Sequence, residues 1–273
     1  MSDIDQFAQS VRSLVGRVSP TDVWRPGLHV DDRSVELTAG LTTLGWDDLG
    51  AGDADTHPFL SIGALELGRN ATTPFDVVQL LGGSPVVGSL AMYAEPGQRV
   101  AIPARGGVQL HEVTASRQLP FADSLGVHRV LGQQPTEVAP AGTAQLAAWE
   151  AATVGYLAGL AVGVVDRAVE HASNRHIFGK TLAHIDAVQQ RIADAATCAD
   201  ALVLTARAGG HGLPALAHAS ASVWQVMVHA HLIFGAIGFT MEFPLQRYSR
   251  RAKALGAFVD SWVDQTVDET DAA

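Results

Sequence analysis

Only one cysteine, Cys198, stands in 273 residues, so no internal disulfide can form. The opening "MSDIDQFAQSV" lacks the basic and apolar regions of a signal peptide, and the expected setting is cytoplasmic. Basic residues are scarce as well: 18 Lys and Arg against 28 Asp and Glu give a formal charge of −10, which argues against nucleic acid or an anionic membrane as partner. No apolar run is long enough to suggest a membrane span. The longest, Ala151 to Val165 between Glu150 and Asp166, falls short of the roughly 20 residues a bilayer requires and reads as a buried helix.

The common chemical constellations are missing too. Eleven histidines include no two spaced three or four apart, and His229 and His231 would point to nearly opposite sides of a helix, so no metal is expected. "LLGGSPVVG" lacks the lysine of a phosphate loop and the Ser/Thr that follows it, no strand–G-x-G-x-x-G–helix unit occurs, and no G-x-S-x-G elbow occurs. Cys198, in the apolar pattern "ADAATCADALVL", reads as a buried small side chain.

What is present is hydrophobic, at 47% of residues with 17% charged, enough for one large domain or two modest ones. Its organisation changes near residue 140. Before it, Gly and Pro recur at short intervals, and "RVAIPA" and "VQLHEVTA" alternate in the manner of strands. After "QQPTEVAPAGTAQ", helical patterns run over about 144–174, 182–209, 213–235 and 243–265, which predicts an up-down four-helix bundle. Gly155, Gly159 and Gly163 share one face of the first of these helices and predict a close helix contact, because an interior glycine costs ~1 kcal/mol that packing can offset.

Two motifs in this half carry a resemblance. "SNRHIFGKTLAHIDAVQQRIADAATCADALVLTARA" resembles the acyl-CoA dehydrogenase C-terminal helical domain, with its R-x-x-F-G, and "HLIFGAIGFTMEFPLQRYSRRAKAL" is similar to that family's Q-x-x-G-G-x-G-F-T-x-E stretch and the R-R-A-K after it. Upstream, "LTTLGWDDL", "GALELGR" and "AMYAEPGQR" resemble the family's N-terminal helical domain and its T-E-P-G-A-G segment. The resemblance implies a mainly α fold with a small β portion. A reduced N-terminal helical region (1–85) and a reduced middle β region (86–140) would precede the four-helix bundle (141–273). About fifty residues between "AEPG" and the bundle leave room for a few short strands but hardly for a closed, flavin-holding barrel.

Carried over residue by residue, the family's FAD contacts fall on Arg175, Phe178, Gly179, Gly235 and Ala236. An arginine suits a pyrophosphate because its planar fork donates two hydrogen bonds, and glycine lets backbone approach a ligand. The pattern departs elsewhere. The family's Gln before the glycine pair falls on Leu232, its second glycine on Ala236, and the Gln of its F-Q segment on Asp186, where a carboxylate would repel a pyrophosphate. The family's catalytic glutamate would fall on Val259, with Asp260 one beyond, or, in other relatives, on Trp149 with Glu150 beside it. Glu150 and Asp260 are thus the only candidates for a base; for Glu150 an exposed acid near a helix start is the expected role. The resemblance implies a short subunit that completes the FAD site of a longer, catalytic acyl-CoA dehydrogenase chain, as in α2β2 assemblies of actinobacterial steroid and cholesterol side-chain degradation. A self-sufficient dehydrogenase using Glu150 or Asp260, and a cofactor-free scaffold, are the alternatives.

Overall fold

The computed structural model describes residues 2–18, 35–104, 107–119, 126–136, 142–240 and 243–271. Helix α1 (Asp3–Val18) buries Ala8, Val11, Leu14 and Val15, which recur at helical spacing while acids and arginines take the outer face. Short helices α2 (Val35–Thr43) and α3 (Trp46–Gly50) lead to α4 (His57–Arg69), which is buried without a break from Leu60 to Gly68. A single turn, α5 (Phe75–Val78), follows.

The β region then overturns one expectation. Strands β1 (Ser84–Val87), β2 (Leu90–Met92), β3 (Arg99–Ala104), β4 (Gly107–Gln118) and β5 (Val127–Pro135) close into a barrel in the order β1-β2-β5-β4-β3. The chain after "AEPG" supplies only three of these strands. Two of the five strands come before it, from "SPVVGSLAM", joined by a tight turn in which Gly88 takes φ 60. Closure is completed by one parallel pairing, Ser84 with Val100 and Pro85 with Ala101. The barrel has its own small apolar cluster of Val86, Ala91, Ala94, Val100 and Val113.

The last half is the expected bundle: α6 (Thr143–Asn174), α7 (Asp186–Arg207), α8 (Leu213–Phe234) and α9 (Leu245–Asp271), with a two-stranded hairpin, β6 (His176–Ile177) and β7 (Lys180–Thr181), between α6 and α7. By length and composition α6 and the stretch Leu213–Phe239 could cross a bilayer, but 89% of the most apolar window of α6 is buried inside the protein, as in a core helix. The glycine face of α6 does make a close contact, and its partner is α4. A Cβ at Gly155, Gly159 or Gly163 would collide with the backbone carbonyl of Ser61, Leu65 or Arg69, and one at Gly68 with the carbonyl of Tyr156. Two backbones therefore meet directly, and the N-terminal helices are locked to the bundle. Tyr156 and Tyr248 fasten the same seam by donating to the carbonyls of Thr72 and Arg69.

Candidate functional site

Helix α6 stops because Arg175 turns to extended backbone (φ −81, ψ 121) while its N–H still donates to the His171 carbonyl at 2.8 Å. The chain then folds back at once. His176 pairs with Thr181 and Ile177 with Lys180, and Leu182 N–H donates to the Arg175 carbonyl at 2.7 Å, closing the hairpin at its base. Its two tip residues both lie at positive φ, Phe178 at 51 and Gly179 at 78. Glycine tolerates that region; a phenylalanine there is strained and unusual. Phe178 is also 90% exposed, so nothing in its own chain rewards the strain. Arg175 is exposed and has no carboxylate partner among the described residues.

The second motif ends at the same end of the bundle. Helix α8 terminates at Gly235, whose φ of 65 and ψ of −144 suit glycine alone, and Ala236 after it is exposed. His171 in the last turn of α6 packs at a tilt against Phe234 in the last turn of α8, ring centres 4.5 Å apart, and both meet Phe243. This aromatic joint holds the Arg175 hairpin and the Gly235 turn on one rim. A Cβ at either Gly179 or Gly235 would meet nothing within 4 Å, so both backbones lie open to an approaching group. Along the outer face of α8 leading to this rim, Trp224, Val228 and Leu232 form an exposed stripe that Ile237 and Phe239 continue. Asp186 is exposed as the first residue of α7, where a carboxylate complements the helix dipole.

The two candidate bases lie elsewhere and apart. Asp260 is exposed on α9. Glu150 is not the exposed acid expected from the sequence: it is 6% exposed, because it sits eight residues into α6 where the bundle is already closed. Its carboxylate accepts a hydrogen bond from Gly212 N–H at 2.8 Å, at the start of α8, so it caps a neighbouring helix. Burial pushes its pKa up, while the Gly212 bond and His211 oppose the shift. Beside it, His57 is 3% exposed and meets His211 edge to face at 5.0 Å. Burial, then His211, push the His57 pKa down. These two histidines escaped the sequence reading, since 154 residues separate them and only the fold joins them.

The positions at which a base was expected hold apolar packing. Trp149 is 2% exposed and lies 5.1 Å from the ring of Trp262, itself 1% exposed, and Val259 is 1% exposed. Among the described residues no group of three or more His, Cys, Asp or Glu could hold a metal ion. Cys198 is half-buried, not fully buried as its apolar surroundings suggested. For a flavin nucleotide the fit divides. The rim offers a guanidinium without a carboxylate partner among the described residues and two open glycine backbones, which suit a pyrophosphate, whereas the two positions expected to supply a base are filled by the packed Trp149–Trp262 pair and by buried Val259.

Comparison with known proteins bears on the same region. A model of the family described as "Acyl-CoA dehydrogenase, C-terminal domain" matches residues 143–258. Cyclohex-1-ene-1-carbonyl-CoA dehydrogenase of Syntrophus aciditrophicus is 32% identical over 107 residues, covering 35% of this chain and 26% of that protein. Probable acyl-CoA dehydrogenase FadE25 of Mycobacterium tuberculosis is 33% identical over 114 residues, covering 37% and 29%. Each match thus spans less than a third of the curated relative. Among solved structures, the ChsE4-ChsE5 complex from Mycobacterium tuberculosis superposes with a TM-score of 0.70 at 15% identity, over 98% of this chain and 96% of that one. A glutaryl-CoA dehydrogenase from Mycobacterium smegmatis in complex with FADH2 gives 0.71 at 13% identity, over 100% and 95%. The Tcur3481-Tcur3483 steroid ACAD gives 0.64 at 16%, over 99% and 98%. At such identities the structures speak for the fold.

Proposed function

Given that residues 143–258 form an acyl-CoA dehydrogenase C-terminal domain in a chain with the acyl-CoA dehydrogenase fold, we propose that this protein is the non-catalytic subunit of a heteromeric acyl-CoA dehydrogenase. It would complete the FAD site of a longer partner. The observation that carries this reading is the contrast between its two halves of machinery: the hairpin has a strained, exposed tip at Phe178 and an exposed cation, Arg175, at its base, while both expected base positions are packed shut.

The residues fit the pyrophosphate end of FAD. Arg175 would donate from its planar fork to phosphate oxygens, the backbones at Gly179, Gly235 and Ala236 would allow close approach, and Phe178 would bury its ring against the partner. When bound, FAD supplies the hydride acceptor for α,β-desaturation of an acyl-CoA thioester. The proton acceptor would come from the partner chain, since the Glu150 carboxylate is committed to the start of α8 and Asp260 faces outward. Two of the structural neighbours, ChsE4-ChsE5 and the Tcur3481-Tcur3483 steroid ACAD, support a paired assembly and a bulky steroid-type acyl group as its substrate.

The test is flavin retention. Arg175→Ala should weaken FAD binding to the assembled complex by about 10- to 150-fold, the equivalent of losing ~1.5–3 kcal/mol of charge-assisted hydrogen bonding. Arg175→Lys should restore only part, because an ammonium lacks the paired planar contact. Flavin absorbance after desalting reads the outcome, with circular dichroism as the folding control. Unchanged flavin content in the alanine variant would make Arg175 an ordinary surface cation.

A further inference from the structure

At the opposite end of α6 from Arg175, about 48 Å away along its 32 residues, a second feature belongs to no part of the flavin reading. Helices α2, α3, α5 and the first turn of α6 line a half-open cavity of about 500 Å³. Two carboxylates, Asp47 and Asp76, line it, and no Lys, Arg or His does so among the described residues. Asp76 is 6% exposed, and its Oδ2 is fully buried with no hydrogen-bond partner among the described residues. The Thr38 hydroxyl and its own backbone N–H are what its carboxylate does have. A buried carboxylate oxygen without a partner is unfavourable, and something that donates to it would relieve the penalty.

The remaining lining narrows the chemistry. Gln79 spends its amide nitrogen on Ser84 Oγ at 3.1 Å and Gln145 spends its own on the Leu80 carbonyl at 2.8 Å, so each is left with a carbonyl oxygen to offer. Trp46 and Phe75 add apolar wall, and the Trp46 indole N–H is already committed to the Asp76 carbonyl at 3.3 Å. An anion would meet two carboxylates, offset only by the uncapped first turn of α6, and a metal ion would find too few ligands. A donor that carries positive charge and an apolar body satisfies every group named.

We propose that this cavity is a binding site for a small organic ammonium ion, with the ammonium donating to Asp76 Oδ2 and Asp47 and the apolar body packed on Trp46 and Phe75. A cation beside aromatic rings gains further attraction. Binding is linked to pH. Burial, aided by the charge of Asp47, pushes the Asp76 pKa up to about 6, and a bound cation holds the carboxylate ionised, so affinity falls as pH drops through that value. Between pH 7 and pH 5 the loss should be roughly tenfold.

The experiment titrates the full chain with 2-phenylethylamine, cyclohexylamine and butylamine by calorimetry at pH 7 and pH 5, with 2-phenylethanol as the neutral isostere. Saturable binding of an amine that exceeds the alcohol, weakens about tenfold at pH 5 and loses its preference for charge in Asp76→Asn is the expected result. Asp47→Asn should weaken amine binding without abolishing it, and serves as a second variant should Asp76→Asn fail a circular dichroism check. Equal binding of amine and alcohol would reduce the cavity to an apolar cleft. Absence of saturable binding, or full amine affinity retained in both variants, would overturn the proposal. None of these outcomes touches flavin retention, so the two proposals stand or fall separately.

Discussion

The burial of the Glu150 carboxylate comes from chain distant in sequence. A carboxylate near a helix start is solvated in most settings, and only the arrival of the α7–α8 turn, 62 residues later, buries it and hands it the Gly212 N–H. Its pKa is raised, so its ionised form opposes folding at neutral pH and that opposition is relieved as pH falls through the folded-state value. His57 works in the reverse sense. Its folded pKa is lowered, so the folded state takes up its proton later than the unfolded one, and stability is lost as pH falls below about 6.5. Glu150→Gln keeps an acceptor for Gly212 without the buried charge and should hold or raise the melting temperature at pH 7. Glu150→Ala leaves that donor unpaired and should cost about 1–3 kcal/mol. Replacing His57 by Gln should flatten the fall in melting temperature between pH 7 and pH 5 relative to the parent chain; an unaltered slope would mean that other groups carry it.

At the scale of elements, helical period carried the reading well and strand counting did not. The four long helices follow an apolar pattern that needs no knowledge of the rest of the chain. The barrel depends on which segments pair, and strands of three and four residues such as β2 and β1 carry too little alternation to announce themselves. The resemblance pointed to Arg175 and Gly235 as expected cofactor contacts, while the strained φ of Phe178 and the aromatic joint through His171 arise only in the folded chain. The glycine spacing on α6 was legible as a contact but not as a contact with α4. Gly159→Val tests that seam: its Cβ would press on the backbone of Leu65 and Arg69, which cannot move aside as a flexible side chain could. A loss of at least 3 kcal/mol, or failure to fold, is expected in thermal melts. Gly179→Ala at the hairpin tip meets no atoms, and only its positive φ should count, for about 1–2 kcal/mol locally with the bundle intact.

For the molecule as a whole, the decisive question is what covers its rim. Purified alone, the chain should hold little flavin and show negligible acyl-CoA oxidation with an artificial electron acceptor, because Trp149 and Val259 occupy the positions where a carboxylate was expected. Robust turnover by the chain alone that is lost in Glu150→Gln would hand the reaction to Glu150 instead. Leu232→Asp should leave the fold intact, since that side chain is 56% exposed, yet reduce assembly with a partner as read by size-exclusion chromatography. Backbone contact along Gly68, Gly155, Gly159 and Gly163 also has a consequence for inheritance. A gene segment encoding only the bundle would deliver α6 with a bare, small-residue face that no side chain of its own can cover. Fusion, duplication or trimming at residue 142, or in any turn of the barrel that lies between α4 and α6 along the chain, should therefore yield insoluble products: the heritable unit of this protein runs across its apparent domain boundary.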